Sequence, residues 1–321
     1  MELKKIWKWI IKDLWTVRKC RFLGYATYNK RKNTVLDTRL TKDCARQTCN
    51  KLNNRREGIM PKAFINGKHT KSGRPYYSLM EMSAAAGLPV YDGGPADVIF
   101  NWGGGGKPAP AKAVVLNRHP IFDKYYQAKA MFKAGVNTPK PNLSIQNVKK
   151  FPVVRKPRNS YGGHGITLVK SSNFSDKGNF WYQGFIKKDR EFRVYFFNGR
   201  ICMIEEKFAK DKSKLTWNLC NCEKWHRCKE MEGSKIVRDL VIPAAKAIRI
   251  DWGAADVLQD MEGKLWIGEI NSRPSCWGGQ KPKLKMRVEN GIYKLIENER
   301  KDLDLSARMW ANRMKRFLDE Y

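Results

Sequence analysis

The chain has 321 residues, 42% of them hydrophobic, so it is long enough to bury a sizeable core in one large domain or in two to three small ones. No uninterrupted apolar run approaches the about 20 residues that span a bilayer, and the start lacks the apolar segment of a signal peptide, so we expect a cytoplasmic protein without a transmembrane segment. Eight cysteines are too few for a disulfide framework at this length, which excludes a disulfide-dense secreted scaffold and favours reduced thiols.

Charge is the unusual bulk property of the sequence. The sequence has 63 Lys and Arg residues and 31 Asp and Glu residues, which gives a formal net charge of +32. A positive field of this size attracts polyanions, so nucleic acid, acidic protein segments and anionic membrane surfaces are all credible partners. The basic residues are spread over the whole chain, and general solubility explains them as well as a specific polyanion site does.

Residues 1–60 are predicted to form a basic helical extension. Apolar residues recur there at helical spacing between lysines, which predicts an amphipathic helix: Ile6, Trp7, Ile10, Ile11, Leu14 and Trp15. We favour docking of this apolar face on the body of the same protein over membrane binding, because buried Trp and Ile are ordinary core residues.

Residues 61–116 are predicted to form a small α/β domain. A helix over about residues 82–87 ends at a glycine, and a buried strand over residues 97–102 runs into four consecutive glycines. A further strand follows over residues 113–117. Alternation of helices and strands indicates an α/β unit, and we place the main domain boundary near residue 117.

The next segment combines a helix with a glycine-rich turn. The helix, over about residues 124–134, is stopped by Gly135, and a buried strand over residues 151–157 then brings Lys156 next to a glycine-rich turn at residues 159–165. Without Cβ atoms, backbone N–H groups can approach phosphate oxygens, and the lysine supplies a point charge. The turn is neither a Walker loop nor a Rossmann fingerprint, and taken alone it is better explained as a plain hairpin turn.

Two more strands follow, over residues 181–186 and 190–197. In the second strand, a period of two places Glu191, Arg193 and Tyr195 on one face. A charged pair on one face can meet a ligand. An Arg–Glu pair on a solvated strand explains these residues about as well in isolation.

An acidic pattern near the C-terminus predicts a magnesium site. Two strands joined by a turn at Gly263 bring Asp256 alongside Glu269, and a period of two points Glu269 and Asn271 the same way. Three hard oxygen ligands therefore converge, which suits magnesium with a nucleotide and argues against zinc.

A cysteine-rich segment between these motifs offers a different metal site. Cys220, Cys222, His226 and Cys228 are four potential zinc ligands within nine residues. The spacing is cramped and unlike a standard zinc finger, so free thiols are the preferred interpretation.

The order of these motifs resembles the ATP-grasp superfamily, and within it the ribosomal-protein glutamate ligases and related amino-acid ligases. The resemblance covers about residues 117–274. The motifs that carry it are Asp123-Lys124, Lys156-Pro157 with the glycine-rich turn, Gln183-Gly184-Phe185-Ile186, Glu191-Phe192-Arg193, Asp256, and Glu269-Ile270-Asn271-Ser272-Arg273-Pro274.

The resemblance implies an α/β (α+β) ATP-grasp fold in which two α/β subdomains clamp ATP. The ATP-grasp domain would span residues 117–321, with a lid subdomain of about residues 144–186 and a metal-binding C-terminal subdomain of about residues 187–321. The small α/β domain of residues 61–116 and the extension of residues 1–60 would precede it.

The resemblance also implies site roles by position. It assigns ATP contacts to Lys124, Lys156, Gly162, Gly163, Gln183, Gly184, Phe185, Ile186, Glu191 and Asn218. Two Mg²⁺ ions, for which Mn²⁺ can substitute, would be held by Asp256, Glu269 and Asn271. The catalytic set would be Arg193, Lys156 and Arg273.

Three positions depart from the family pattern. Gly184 stands where the family usually has glutamate, which leaves the adenine contact to the backbone. Thr216 replaces an arginine of the glutamate ligases, and Arg273 replaces a small residue. The last two changes suggest a different substrate, and Arg273, which can bind a carboxylate bidentately, is where we expect substrate choice.

The resemblance thus predicts an ATP-dependent carboxylate–amine ligase that forms an amide through an acyl phosphate. Its substrates would be a carboxylate and an amine such as an amino acid, and a nucleic acid or acidic protein is a possible acceptor. The alternative is a nucleic-acid-binding protein with a catalytically silent ATP-grasp body. Intact Lys156, Asp256 and Glu269 argue against lost catalysis.

Overall fold

A computed structural model describes residues 61–67, 74–104, 106–158, 163–173, 178–218, 221–274, 286–289, 292–295 and 305–321. Strands and helices are mixed along the chain, which confirms the predicted α/β class. The basic extension of residues 1–60 lies outside the described residues. Of the helices in the described ranges, none has the length and apolar character to cross a bilayer.

The elements follow one another in this order: β1 (Ala63–Gly67), α1 (Arg74–Ala86), β2 (Val98–Trp102), β3 (Val114–Leu116), α2 (Lys124–Lys133), β4 (Pro141–Asn142), a single 3₁₀ turn (Ile145–Asn147), β5 (Val153–Pro157), β6 (Thr167–Val169), β7 (Phe180–Gly184), β8 (Lys188–Phe197), β9 (Arg200–Ala209), β10 (Cys222–Arg227), α3 (Lys229–Glu232), α4 (Lys235–Ala247), β11 (Trp252–Asp260), β12 (Leu265–Asn271), β13 (Met286–Glu289), β14 (Ile292–Leu295) and α5 (Leu305–Glu320).

Three parallel strands, in the order β1-β2-β3, form the first sheet. Phe100 in β2 lies opposite Ile65 in β1 and Leu116 in β3, and all three side chains are buried. A parallel strand that is covered on both faces needs a continuous apolar run, which Val-Ile-Phe at the start of β2 supplies. The glycines that follow β2 lie at the carboxyl edge of this sheet, where open α/β sheets place their ligands.

The first sheet shares its core with elements from the C-terminal half. The Trp102 ring of β2 lies 5.3 Å from that of Trp252 in β11, and the Trp252 ring lies 5.1 Å from that of Trp310 in α5. All three side chains are fully buried. Such ring pairs contribute about 0.5–1.5 kcal/mol each beyond the burial of their area. β2, β11 and α5 therefore form one packed unit.

The second sheet, which we call the lid sheet, consists of antiparallel strands in the order β4-β7-β5-β6. Its buried core is small and is made by Ile145, Val153, Val169 and Tyr182. The strands predicted over residues 151–157 and 181–186 correspond to β5 and β7.

Five antiparallel strands, in the order β10-β9-β8-β11-β12, form the largest sheet. Along β8, Phe192, Val194 and Phe196 are buried in a core that also contains side chains of α4. Glu191 and Arg193 alternate with them and belong to the opposite face, as the period of two predicts. This opposite face forms one wall of the cavity described below.

Asn117 joins the first sheet to the largest one. It is fully buried and adopts the left-handed conformation, with φ 57°, a region that Asn tolerates because its side chain can bond locally. Its Oδ1 accepts the N–H of Asp251 at 2.6 Å, and its Nδ2 donates to the carbonyl of Trp252 at 2.9 Å. These bonds fix the end of β3 to the beginning of β11.

The helix α2 carries Lys124 in its first turn. It begins after Asp123, whose carboxylate accepts the N–H of Tyr126 at 3.1 Å and thereby caps the helix. It ends just before Gly135, whose φ of 74° lets the chain turn away. The predicted bounds of this helix are therefore found, and its first turn faces β12.

Candidate active site

A cavity of about 620 Å³ lies between the lid sheet and the largest sheet. Gly162 lies outside the described residues. The cavity wall contains all the other residues to which the sequence assigned an ATP contact, a metal contact or a catalytic role. They are Lys124, Lys156, Gly163, Gln183, Gly184, Phe185, Ile186, Glu191, Arg193, Asn218, Asp256, Glu269, Asn271 and Arg273. Motifs that are up to 149 positions apart in the chain thus surround one volume, although their individual roles stay predictions.

Lys156 projects from β5 of the lid sheet and has a neutral hydrogen-bond partner. Its Nζ donates to Oε1 of Gln183 at 2.7 Å and lies 5.0 Å from the centre of the Trp181 ring. Burial lowers the pKa of Lys156 to about 8, and Glu269 offsets only part of this shift. The ammonium is therefore a buried charge for which an anionic ligand would be a favourable neighbour.

The lid loop approaches the largest sheet from the other side of the cavity. Gly163, with φ 76°, lies so close to Thr216 and Asn218 that a Cβ there would be 3.1 Å from Cγ2 of Thr216 and 3.2 Å from Nδ2 of Asn218. The lid is thus in contact with the segment in which the resemblance expects a nucleotide contact. Apolar side chains also line the cavity: Met131, Val154, Ile166, Leu215 and Leu258.

The predicted metal ligands lie in the middle of β11 and at the end of β12. Asp256 is directly opposite Glu269, as predicted, and Nδ2 of Asn271 donates to Oε1 of Glu269 at 2.7 Å. Burial raises the pKa of Glu269, but Lys124, Asn271 and Lys156 together more than offset this, so the pKa lies below its usual value. Glu269 is therefore an anion in the cavity wall at neutral pH.

Lys124 reaches this acidic end from α2. Its Nζ donates to Oδ1 of Asn271 at 2.8 Å and to the carbonyl of Ile270 at 3.3 Å, and it lies 3.7 Å from Oε2 of Glu269. One ammonium thus contacts the oxygens of all three residues. The oxygens of Glu269 and Asn271 converge on a position that a cation fits.

Asp256 is held by two cations of the largest sheet. Arg193, opposite it on β8, donates Nε and Nη2 to its two oxygens at 2.9 and 3.0 Å, and Nζ of Lys207 on β9 lies 2.9 Å from Oδ1. Burial raises the pKa of Asp256, but Arg193 and Lys207 outweigh burial and hold it well below the usual range. Asp256 is therefore a permanent anion clamped by a bidentate arginine.

Lys207 is a functional candidate that sequence reasoning missed. It is almost fully buried, and its Nζ also donates to Oε1 of Glu191 at 2.6 Å. Counted from the turn between β8 and β9, residue 206 and not 207 should face Glu191. A β-bulge between Tyr195 and Phe196 shifts the register by one residue and brings Lys207 opposite Glu191. A bulge of this kind leaves no recognisable signal in a single sequence.

Lys188 and two tryptophans complete the wall and were also missed. Lys188 pairs with Glu191 and lies with its Nζ 4.4 Å from the centre of the Trp217 ring. The Trp225 ring lies 5.1 Å from both the Arg193 guanidinium and the Lys207 ammonium. The positive charges are therefore held by aromatic faces as well as by carboxylates.

The cavity as a whole is positively charged. Its cationic lining side chains are Lys124, Lys156, Lys188, Arg193, Lys207 and Arg273, and its anionic ones are Glu191, Asp256 and Glu269. Six cations against three anions leave an excess of three positive charges, which favours a multiply charged anion such as a polyphosphate.

The predicted magnesium ligands fit a hard divalent cation in part. Glu269 and Asn271 present converging carboxylate and amide oxygens, which Mg²⁺ prefers. Oδ1 of Asn271 accepts a bond from Lys124, and both oxygens of Asp256 accept bonds from Arg193, so a metal ion would have to displace these cations. Within the described ranges, no group of three or more His, Cys, Asp and Glu side chains could hold a metal by itself, so substrate oxygens would have to complete the ligand shell.

The described part of the cysteine-rich segment has local partners. Sγ of Cys222 donates to the carbonyl of Trp217 at 3.2 Å, and Sγ of Cys228 lies 2.9 Å from Oε1 of Glu230. Burial raises the pKa of both thiols, that of Cys228 to about 11. Cys220, the first of the four proposed zinc ligands, lies outside the described residues.

Comparison with known proteins finds similar chains among solved structures. The sequence matches no protein family and no curated protein. Among solved structures it is similar to ligases and synthetases, and one of them is described as an ATP-grasp ligase.

Three of these structures illustrate the similarity. The ATP-grasp ligase PsnB with its minimal precursor aligns over 67% of this chain and 91% of its own, with 13% identity and a TM-score of 0.48. D-alanine–D-alanine ligase from Bacillus anthracis with ATP aligns over 80% and 97%, with 13% identity and a TM-score of 0.47. N5-carboxyaminoimidazole ribonucleotide synthetase from Thermotoga maritima aligns over 67% and 69%, with 17% identity and a TM-score of 0.42. We base no statement about activity on a likeness at this level.

Proposed function

We propose that the protein is an ATP-dependent carboxylate–amine ligase that releases ADP and phosphate. The observation that carries the proposal is the polarity of the cavity. The wall combines the converging hard oxygens of Glu269 and Asn271 with apolar side chains and six cationic side chains. A volume of about 620 Å³ lies within the range of small-molecule sites, and the excess positive charge suits a triphosphate.

The phosphates would be bound by residues from both sides of the cavity. Lys156 supplies the charge from the lid sheet, and Lys124 supplies it from α2. The end of β7, where Gln183 orients Lys156 and Phe185 and Ile186 provide apolar surface, would hold the adenine ring. Glu191 and Asn218 would complete the nucleotide contacts in this proposal.

Metal binding is a further part of the proposal. Glu269 and Asn271 would hold Mg²⁺ together with Asp256 on the opposite strand. The proposal includes two Mg²⁺ ions, for which Mn²⁺ could substitute. When bound, Mg²⁺ would neutralise the charge of the phosphate oxygens. Because its ligand shell needs substrate oxygens, the metal and the nucleotide should bind together.

The reaction would take place in two balanced steps. In the first, an oxygen of the substrate carboxylate forms a bond to the γ-phosphorus of ATP, and the bond to the bridging oxygen breaks, so ADP leaves with the electron pair. In the second, an amine nitrogen bonds to the acyl carbon, phosphate leaves with the electron pair of the C–O bond, and the nitrogen loses a proton. The products are an amide, ADP and phosphate.

Neither step needs a nucleophile from the protein, so positioning and charge neutralisation can supply the catalysis. Arg193 is held rigidly by Asp256 and would stabilise the transferred phosphoryl group together with Lys156. Arg273, two residues beyond Asn271 in the cavity wall, would bind the carboxylate substrate. An amino acid is the proposed amine, and an acidic protein or a nucleic acid is a possible acceptor.

The test is ADP formation and phosphate release with Mg²⁺, ATP and a panel of amino acids and other carboxylates, with products identified by mass spectrometry. Lys156→Met should abolish turnover, whereas Lys149→Met, which changes an exposed lysine of the same segment, should leave it unchanged. Absence of turnover with every pair of carboxylate and amine would contradict the proposal.

A second candidate function is nucleic-acid binding with a catalytically silent body, and the net charge of +32 favours it. It predicts binding of DNA or RNA that weakens steeply with salt and no ADP formation under any condition. Salt-sensitive binding together with ADP formation would instead support a ligase that docks a polyanionic acceptor. No binding at low salt would eliminate nucleic acid as a partner.

A further inference from the structure

The glycine-rich loop after β2 is anchored at both ends. The N–H of Gly103 donates to the carbonyl of Ser272 at 3.1 Å, and the N–H of Lys107 donates to Oδ1 of Asn66 at 3.1 Å. Nδ2 of Asn66 donates back to the carbonyl of Lys107 at 2.9 Å. The first anchor joins the loop to the residue that follows β12, immediately before Arg273.

Gly103 and Gly104 in this loop allow close contacts with two side chains. A Cβ at Gly103 would lie 3.0 Å from both Cβ and Cδ of Arg273, and one at Gly104 would lie 2.6 Å from Cζ of Phe122. Gly103 also has a φ of 70°, which glycine adopts without strain. The backbone at Gly103 is therefore packed directly on the aliphatic stem of Arg273.

This contact restricts an otherwise mobile side chain. A free arginine stem samples many rotamers, and a carboxylate that binds its planar guanidinium bidentately must first select one of them. Arg273 lines the cavity two residues beyond Asn271, and its stem is enclosed on the side of Gly103. Preorganisation of this kind lowers the entropic cost of binding a substrate.

We infer that Gly103 is a positioning residue, which holds the Arg273 guanidinium ready for the carboxylate substrate of the proposed ligase. The inference rests on the proposed function for the identity of the substrate. Gly103 does not touch the substrate in this arrangement. It acts only through the side chain of Arg273.

The test compares Gly103→Ala with Gly199→Ala. Gly199 in the turn between β8 and β9 has a similar φ of 76° but nothing within 4 Å of its Cβ position, so this control carries the same backbone strain without the collision. With a carboxylate found to be a substrate, Gly103→Ala should raise its KM by about 10-fold or more and change the KM for ATP by less than about 2-fold. Gly199→Ala should change neither. Equal effects of Gly103→Ala on both KM values would overturn the inference.

A double variant separates positioning from general damage. If Gly103 acts through Arg273, Gly103→Ala combined with Arg273→Ala should be no worse than Arg273→Ala alone. If Gly103→Ala fails to fold, its combination with Arg273→Gly should fold, because this truncation removes both the Cβ and the Cδ of Arg273 that the new methyl group would meet. Additive losses, or a double variant that also fails to fold, would overturn the inference.

A measurement without turnover distinguishes this inference from the proposed function. The arginine reagent phenylglyoxal and peptide mass spectrometry report the modification rate of Arg273 in each variant. We expect a rate at least about 3-fold higher in Gly103→Ala than in the wild type and Gly199→Ala, because the stem loses its enclosure. Inactive wild-type protein with this rate difference would reject the ligase and retain the positioning contact. Equal rates would reject the positioning contact.

Discussion

The two walls of the cavity hold buried lysines in opposite electrostatic settings. On the lid sheet, Lys156 has the neutral Gln183 as its hydrogen-bond partner, and burial lowers its pKa to about 8. On the largest sheet, Lys207 is more completely buried, but Asp256 and Glu191 outweigh burial and raise its pKa. The first lysine is a charge that a ligand can neutralise, and the second is already neutralised by the protein. We therefore expect Lys156 to contribute to ligand binding and Lys207 to contribute to the stability of the fold.

Asp256→Asn should produce the largest effect, because it removes an anion that neutralises Lys207 on the largest sheet. The change leaves Arg193 and Lys207 buried without their shared anion, which should cost about 3–5 kcal/mol of unfolding free energy. Proposed ATP-dependent turnover should fall by at least about 10³-fold, because Arg193 loses its fixed position. Urea denaturation and ADP release measure the two quantities.

The matched control is Asp239→Asn, which removes the carboxylate of an exposed pair with Lys235 on α4. Exposed pairs of this kind contribute about 0–1 kcal/mol, so its unfolding free energy should barely change. Equal destabilisation by the two substitutions would show that the network around Asp256 is no stronger than a surface ion pair.

Replacement of each lysine by methionine tests the comparison directly. Lys207→Met leaves Glu191 and Asp256 with fewer cations in a buried site and should cost about 3 kcal/mol of unfolding free energy. Lys156→Met removes a buried charge from a neutral partner, so its unfolding free energy should change by less than about 1 kcal/mol, while affinity for ATP should fall by about 100-fold. Denaturation and calorimetric titration with ATP give the two readouts. A reversed order of stabilities would refute the assignment.

The pKa of Lys156 makes nucleotide binding depend on pH. The ammonium form attracts phosphate and is the main form below about 8, so affinity for ADP should fall as the pH rises through that value. Between about pH 7 and about pH 9.5 we expect the Kd for ADP to rise by about 10-fold in the wild type. In Lys156→Met the profile should be nearly flat over the same range, since the titrating group is absent. A wild-type profile without this rise would contradict a role for Lys156 in phosphate binding.

The smallest expected effect distinguishes two glycines on the lid side of the cavity. A Cβ at Gly163 meets Thr216 and Asn218 and requires a left-handed backbone, so Gly163→Ala should weaken ATP binding by about 5-fold. A Cβ at Gly184 meets only Pro139 at 3.5 Å, an ordinary contact, so Gly184→Ala should change ATP binding by less than about 2-fold. Calorimetric titration of both variants decides whether the lid loop or the end of β7 is the tighter contact.

Local patterns predicted one half of the site well. The turn at Gly263 indicated that Asp256 lies beside Glu269, and the period of two fixes the direction of Asn271, although it is a β-bulge between Asp256 and Val257 that brings Glu269 and not Gly268 directly opposite Asp256. The bounds of α2 followed from Gly135 in the same way. Such features depend on neighbours within about 15 residues, which a single sequence displays.

The other half depends on register between strands that are distant in the sequence. Arg193 clamps Asp256 across 63 positions, and the β8–β9 bulge brings Lys207 between Glu191 and Asp256. Trp310 packs in the core of the first sheet, from which it is separated by even more of the sequence. The position of these residues relative to one another cannot be derived by counting residues from a turn. The sequence could therefore predict a role for Asp256, but not that Arg193 and Lys207 bind its carboxylate.

Asn117 has a mechanical consequence. Its bonds to Asp251 and Trp252 make the end of β3 and the start of β11 one stiff block, to which α5 is joined through the tryptophan rings. The lid sheet rests instead on a core of four side chains. We therefore expect any widening of the cavity to move the lid sheet and not this block. Entry of the proposed nucleotide would then leave the acidic residues and Arg273 in their places.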